Sequence, residues 1–187
     1  MEVHEVIISS VTFTPVANFC EENVWRHLQE PSDNPRWAVF VSTEDQKCTM
    51  WAQRTQNGIT PVIWDYHVVM LEQTSGGFQV WDPDCTAGTS LPSAEWTEAN
   101  FPVPDTAVRF RVVDSVSFNR DFRSDRRHIK GSIQPDWPVI SPGEYNVGSY
   151  TSVFPGGPGE LLDLGAWDQF TGPQKDLLPK PGGISGS

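Results

Sequence analysis

Pro61-Val62-Ile63-Trp64-Asp65-Tyr66-His67-Val68-Val69-Met70-Leu71 is the stretch whose reading decides the fold. Both of its alternating faces are largely apolar, as in a central strand covered on both sides. Gln73-Thr74-Ser75-Gly76-Gly77 then reads as a hairpin turn, and Phe78-Gln79-Val80-Trp81-Asp82 as the returning antiparallel strand. Asp65 and His67 stand out on one face of the first strand. In an antiparallel hairpin facing residues share a constant index sum, and a loop with an even number of residues makes that sum odd. The indices of His67 and Asp82 add to an odd number, so an even loop sets both side chains on one face, opposite or diagonal. A two-residue Ser75-Gly76 turn gives the diagonal pair, still within side-chain reach. An odd loop sends the two side chains to opposite faces.

Upstream, Phe19-Cys20-Glu21-Glu22-Asn23-Val24-Trp25 opens an amphipathic helix that should end near Glu30, because Pro31 disfavours helix at the residue before it. Val24 and Leu28 share its buried side, while Glu21, Glu22 and Arg26 are expected to face water. Asn18 can cap the start, and acids in the first turn suit the helix dipole. Cys20 thus sits at a helix N-terminus, where a thiolate is stabilised. A lone cysteine there is more often a structural thiol than a nucleophile.

Arg36–Val41 and Val108–Val113 read as strands, and Met50–Gln53 as a shorter one. Val6-Ile7-Ile8 suggests an extended lead-in, and Gln56-Asn57-Gly58 a turn. Residues 83–107 are irregular apart from a helical turn at Ala94–Asn100, and Val116–Phe122 is a short helix. Half of the 16 prolines lie from Pro135 onward, so extended loops are expected there except near Leu161–Phe170. With no internal repeat and no second core, residues 1–175 form one α+β domain, and residues 176–187 a disordered tail.

The 187 residues, 37% hydrophobic and with eight tryptophans, suffice for a packed core. A net charge of −11 argues against nucleic acid or an anionic membrane as partner, since phosphates need a basic surface. The three cysteines, Cys20, Cys48 and Cys85, form neither a disulfide framework nor a zinc motif. The first residues show no basic start before a long apolar run, and no 18-residue apolar stretch occurs. A soluble monomer of the cytoplasm, and by extension the nucleus, is expected.

A Cys-His-Asp site needs a thiol, an imidazole to take its proton and a carboxylate to hold the imidazole's tautomer. Cys20, His67 and Asp82 meet that need if the helix lies across the His67 face with its N-terminus toward His67. A cysteine on a helix followed by histidine and aspartate on adjacent strands is the layout of the papain- and transglutaminase-like folds. Asp84, two residues on, is the rival for the third role.

Cys20-Glu21-Glu22-Asn23-Val24-Trp25, Pro61–Val69, Val80–Asp84, Phe110–Val113 and Phe122–Lys130 together resemble the protein N-terminal glutamine amidohydrolases. The resemblance runs over roughly residues 18–170 in order and at similar spacing; the lead-in before Cys20 and the proline- and glycine-rich C-terminal part depart from the pattern. It implies that Cys20, His67 and Asp82 are the catalytic residues and that the substrate is an N-terminal glutamine, deamidated to glutamate with loss of ammonia. The product would feed a pathway that marks proteins for degradation by their first residue. No metal or organic cofactor is required. A free α-amino group separates this substrate from internal glutamine, and Glu21 and Asp65 are the candidates to bind it. The alternatives are an acyl transferase using the same triad, as in transglutamination or amine acetylation, and a non-catalytic peptide-binding module.

Overall fold

The strands of the decisive stretch sit in the middle of a six-stranded sheet. The computed structural model describes residues 13–54, 60–131 and 133–172. Among them the elements are, in order, α1 (Cys20–His27), β1 (Arg36–Ser42), β2 (Cys48–Met50), β3 (Val62–Trp64), β4 (Tyr66–Thr74), β5 (Gly77–Trp81), β6 (Ser90–Pro92), α2 (Ser93–Asn100), β7 (Arg109–Asp114), α3 (Ser115–Asp121), α4 (Val147–Thr151), β8 (Glu160–Asp163) and α5 (Leu164–Thr171). The main sheet has the order β6-β5-β4-β1-β7-β8, with every neighbouring pair antiparallel. β2 and β3 form a separate antiparallel pair. The fold is therefore α+β with an antiparallel central sheet.

Strand alternation gives the sheet two covered faces. Val39, Val41, Val69, Leu71, Val80 and Phe110 pack with Trp96 of α2 and Trp167 of α5. Ala38, Phe40, Val68 and Met70 pack on the other side with Val24 and Leu28 of the first helix, and with Phe118, Phe122 and Tyr150. The β4–β5 hairpin closes with Thr74 opposite Gly77, a two-residue Ser75-Gly76 loop that sets His67 and Asp82 diagonally on one face. Pairing of β5 with β4 stops at Trp81–Met70, whereas β1 follows β4 down to Tyr66. The sheet therefore opens on one side of β4 beside Val68.

Several elements differ from the sequence expectation, each for a tertiary reason. Pro61–Leu71 is not one strand: it breaks at Asp65, because Trp64 pairs with Cys48 while Tyr66 pairs with Ser42 in the other sheet. The first helix ends at His27 instead of Glu30, and the Arg36 guanidinium donates to the freed carbonyls of His27 and Leu28, both at 3.2 Å, and of Glu30. Asn18 takes a left-handed φ of 67°, Phe19 is the N-cap, and no side chain caps this end. α1 lies on the Val68/Met70 face, opposite the face that carries His67, so it does not cross the histidine's face. Glu21 and Glu22 are buried instead of facing water.

The segment after Pro135 holds α4, β8 and α5 in addition to loops. Buried Arg111 explains part of this order. Its guanidinium donates to the carbonyls of Ser152, Phe154 and Pro158 at 2.7, 2.9 and 3.0 Å, and a Cβ on Gly157 would come within 2.8 Å of it. The expected lead-in at Val6-Ile7-Ile8, the Gln56-Asn57-Gly58 turn and the tail at 176–187 lie outside the described residues.

Candidate active site

Cys20 is the first residue of α1, so the helix start delivers its side chain to the gap that β5 leaves beside Val68. The thiol is buried and donates to Glu21 Oε2 at 3.6 Å. Burial pushes the Cys20 thiol well up, the charges of Glu21 and Asp84 add to this, and the Val68 backbone N–H opposes them. The free site therefore holds a protonated thiol, against the expectation that the helix start would favour thiolate.

His67 and Asp82, both fully buried, are hydrogen-bonded between Nε2 and Oδ1 at 3.0 Å. Trp96 Nε1 donates to Asp82 Oδ2 at 3.0 Å, Gln53 Nε2 donates to the same oxygen at 3.4 Å, and the Asp84 backbone N–H donates to Oδ1 at 3.1 Å. Burial alone raises the Asp82 carboxyl, but His67, Trp96 and Gln53 outweigh it, and the net direction is down. For His67 burial pulls down and the Asp82 carboxylate outweighs it, so its proton affinity is raised. In the neutral imidazole an ionised Asp82 takes the Nε2–H, which leaves Nδ1 as the bare nitrogen. Among the described residues that buried Nδ1 has no hydrogen-bond partner, and no Cys20–His67 hydrogen bond is formed. Trp64 stacks on the imidazole with ring centroids 5.2 Å apart.

Of the two aspartates, Asp82 bonds the imidazole, whereas Asp84 faces a cavity of about 240 Å³ together with Cys20, Glu21, Asp65, Tyr66 and His128. His67, Asp82 and Asp84 place ligand-type atoms within 4.8 Å of one another. The four donors already on Asp82 make that triplet a hydrogen-bonded network in place of a metal cradle. Asp65 is exposed at the cavity rim, and Glu21 is 1% exposed with Oε1 3.1 Å from His128 Nε2. That ring nitrogen also meets Tyr66 Oη at 2.8 Å. Burial first, then Glu21, raises the Tyr66 phenol and keeps it a neutral donor. Of the aromatic residues near the site, Trp64 and Tyr66 line the cavity, while Trp81 stacks on His27 instead.

Sequence reasoning missed the Glu22–Arg126 clamp. Arg126 forks onto both Glu22 oxygens at 2.5 and 2.7 Å, and Trp137 Nε1 adds a third donor at 2.7 Å. Asp125 pairs with Arg127 and not with Arg126. The clamp fastens the segment carrying His128 to α1, and neither of two consecutive acids announces in sequence which partner it takes. Glu22→Gln leaves the partly buried Arg126 without its carboxylate and is expected to lower stability by about 1.5–3 kcal/mol, the scale of a hydrogen bond to a charged group. A denaturant midpoint within error of wild type would contradict this role for the pair.

Comparison with known proteins matches residues 16–170 to the N-terminal glutamine amidase family model. A relative named protein N-terminal glutamine amidohydrolase from Bos taurus is 34% identical over 158 residues, covering 73% of this chain and 76% of its own length. The protein of that name from Homo sapiens is 33% identical over 159 residues, covering 73% and 77%. The one from Caenorhabditis elegans is 30% identical over 138 residues, covering 66% and 75%.

Proposed function

This chain belongs to the N-terminal glutamine amidase family, and from that premise we propose that it hydrolyses the side-chain amide of an N-terminal glutamine through a thioester on Cys20. The observation that carries the mechanism is the His67–Asp82 pair, which fixes Nε2 and leaves a bare Nδ1 buried at the site. The relation to papain- and transglutaminase-like hydrolases is part of this proposal, because α1 starts with the nucleophile and β4 and the end of β5 supply the imidazole and carboxylate.

Substrate entering the cavity brings its carboxamide carbon to Cys20. His67 Nδ1 takes the thiol proton as sulfur attacks, and the buried Asp82 carboxylate stabilises the imidazolium that forms. Catalytic hydrogen bonds that are open in a free site commonly tighten on substrate binding. The Cys20 backbone N–H, at a helix position with no intrahelical acceptor, is placed to donate to the oxyanion. Imidazolium then protonates the departing ammonia. Water activated by the same nitrogen attacks the thioester, and glutamate leaves as Cys20 recovers its proton. Glu21 and Asp65 give the cavity wall a negative field suited to a substrate that carries a free α-ammonium. Making a new N-terminal glutamate is the step that would hand the substrate to first-residue-dependent degradation.

Three peptides test the reading: one starting with Gln, its N-acetylated form, and one starting with Asn. Ammonia is expected from the first alone. Equal release from the acetylated peptide would remove the N-terminal specificity, and release from none would overturn the proposal.

A further inference from the structure

Asp84 is a buried carboxylate with no task in the proton transfers above. Its residue is 5% exposed, and among the described residues its Oδ2 has no hydrogen-bond partner. No cationic nitrogen among the described residues lies within ion-pair distance of it. The imidazole–carboxylate contacts nearby are His67 with Asp82 at 3.0 Å and His128 with Glu21 at 3.1 Å. Arg54 is the neighbouring arginine, and its Nε donates to the Pro83 carbonyl at 2.9 Å. The backbone of Asp84 is satisfied elsewhere, since the Asp84 N–H donates to Asp82 Oδ1 and the Asp84 carbonyl accepts from the Arg54 N–H at 2.6 Å. Among the described residues the side-chain Oδ2 is therefore without a structural bond, and the residue lines the cavity beside Cys20. A buried, unpaired carboxylate is costly unless something of opposite charge joins it.

We propose that Asp84 receives the α-ammonium group of the substrate, making it the specificity-determining residue for a free N-terminus. The proposal rests on the N-terminal glutamine reading and deepens it. Glu21 is less suited, because its Oε2 accepts from Cys20 Sγ and its Oε1, although it too lacks a hydrogen-bond partner among the described residues, lies only 3.1 Å from His128 Nε2, and Asp65 is too exposed to discriminate strongly. One consequence is built into the placement. Asp84 and Glu21 both oppose ionisation of Cys20, so an ammonium paired with Asp84 removes part of that opposition. The substrate's amine then favours attack as well as binding. The other titratable or charged groups facing this locus are Tyr66 and His67 on β4, Asp82 after β5, Arg54, His128 and Asp65.

The test is a four-way comparison of kcat/KM. Wild type and Asp84→Asn are each given a Gln-initiated peptide and the analogue that lacks only its α-amino group. Deleting the amine should slow wild type on the order of 100-fold, and Asp84→Asn should slow the Gln peptide similarly, as expected on removing one partner of a buried charge pair. Removing both should cost no more than removing either, because they are two ends of one contact. Factors that multiply, or a variant that slows both substrates equally or neither, would overturn the assignment. No ammonia from wild type on the Gln peptide would sink the function itself, a different outcome from an active enzyme without coupling. Alkylation of Cys20 by iodoacetamide gives a second readout. Its pH profile should move to lower pH in Asp84→Asn, and an unmoved profile counts against the proposal. If the asparagine variant does not fold, Asp84→Ser removes the same charge without adding bulk and is held to the same outcomes.

Discussion

Cys20→Ala is expected to lower ammonia release from a Gln-initiated peptide by at least about 10⁴-fold, the scale on which nucleophile removal acts in triad hydrolases. No other cysteine among the described residues can take its place. Cys48 and Cys85 are fully buried, and burial pushes the Cys48 thiol up to about 12. The effect on folding should be small, about 1 kcal/mol, because only a sulfur is lost from a residue at the edge of a cavity. Activity and thermal midpoint measured on the same sample separate the two. Turnover retained with an intact fold would remove Cys20 from the mechanism.

Asp82→Asn should have nearly as large an effect, with a distinctive pH signature. An asparagine can present an N–H to the imidazole where Asp82 accepts one, which puts the proton on the wrong nitrogen. The analogous change in a serine triad costs about 10⁴-fold. Burial pulls the His67 proton affinity down and Asp82 brings it above the ordinary value, so in the variant burial is left to act. The acid limb of kcat/KM, set by deprotonation of His67, should move to lower pH as the maximum falls. Stability carries the same sign. Because the folded value of His67 is raised, its contribution is complete below the unfolded histidine value of about 6.5 and fades as pH rises through the folded value. The folded value of Asp82 is depressed, so its contribution is complete above about 3.9 and fades as pH falls through the folded value. The variant should therefore lose most between about pH 4 and 6.5, by roughly 3–5 kcal/mol for a broken buried pair. Urea titrations at three pH values check this, and a loss independent of pH would contradict it.

How much was legible in sequence depends on the range of the interactions. The β4–β5 hairpin was legible because apolar alternation and a Ser-Gly-Gly turn are local, and the side-chain period of two then fixes which residues share a face. The split at Asp65 was not, because both halves have strand composition and only the partners Cys48 and Ser42 show that they serve different sheets. The position of Cys20 at a helix start was readable from spacing. The face on which that helix lies was not, because His67 and Val68 point to opposite sides of one strand and either could have met it. Glu21 and Glu22 look like solvent residues by type. Their burial depends on Arg126, Trp137 and His128, more than a hundred positions away. Likewise Trp96 and Gln53 support Asp82 from elements whose sequences carry no mark of that task.

The covalent step is the most direct point of attack on the account. A Gln-initiated peptide is incubated with the protein in the presence of hydroxylamine, and its first residue is read by mass spectrometry. A thioester on Cys20 predicts glutamate together with the γ-hydroxamate, from wild type and not from Cys20→Ala, and neither product from the N-acetylated peptide. Glutamate formed without hydroxamate at any hydroxylamine concentration, or formed equally by Cys20→Ala, would contradict it.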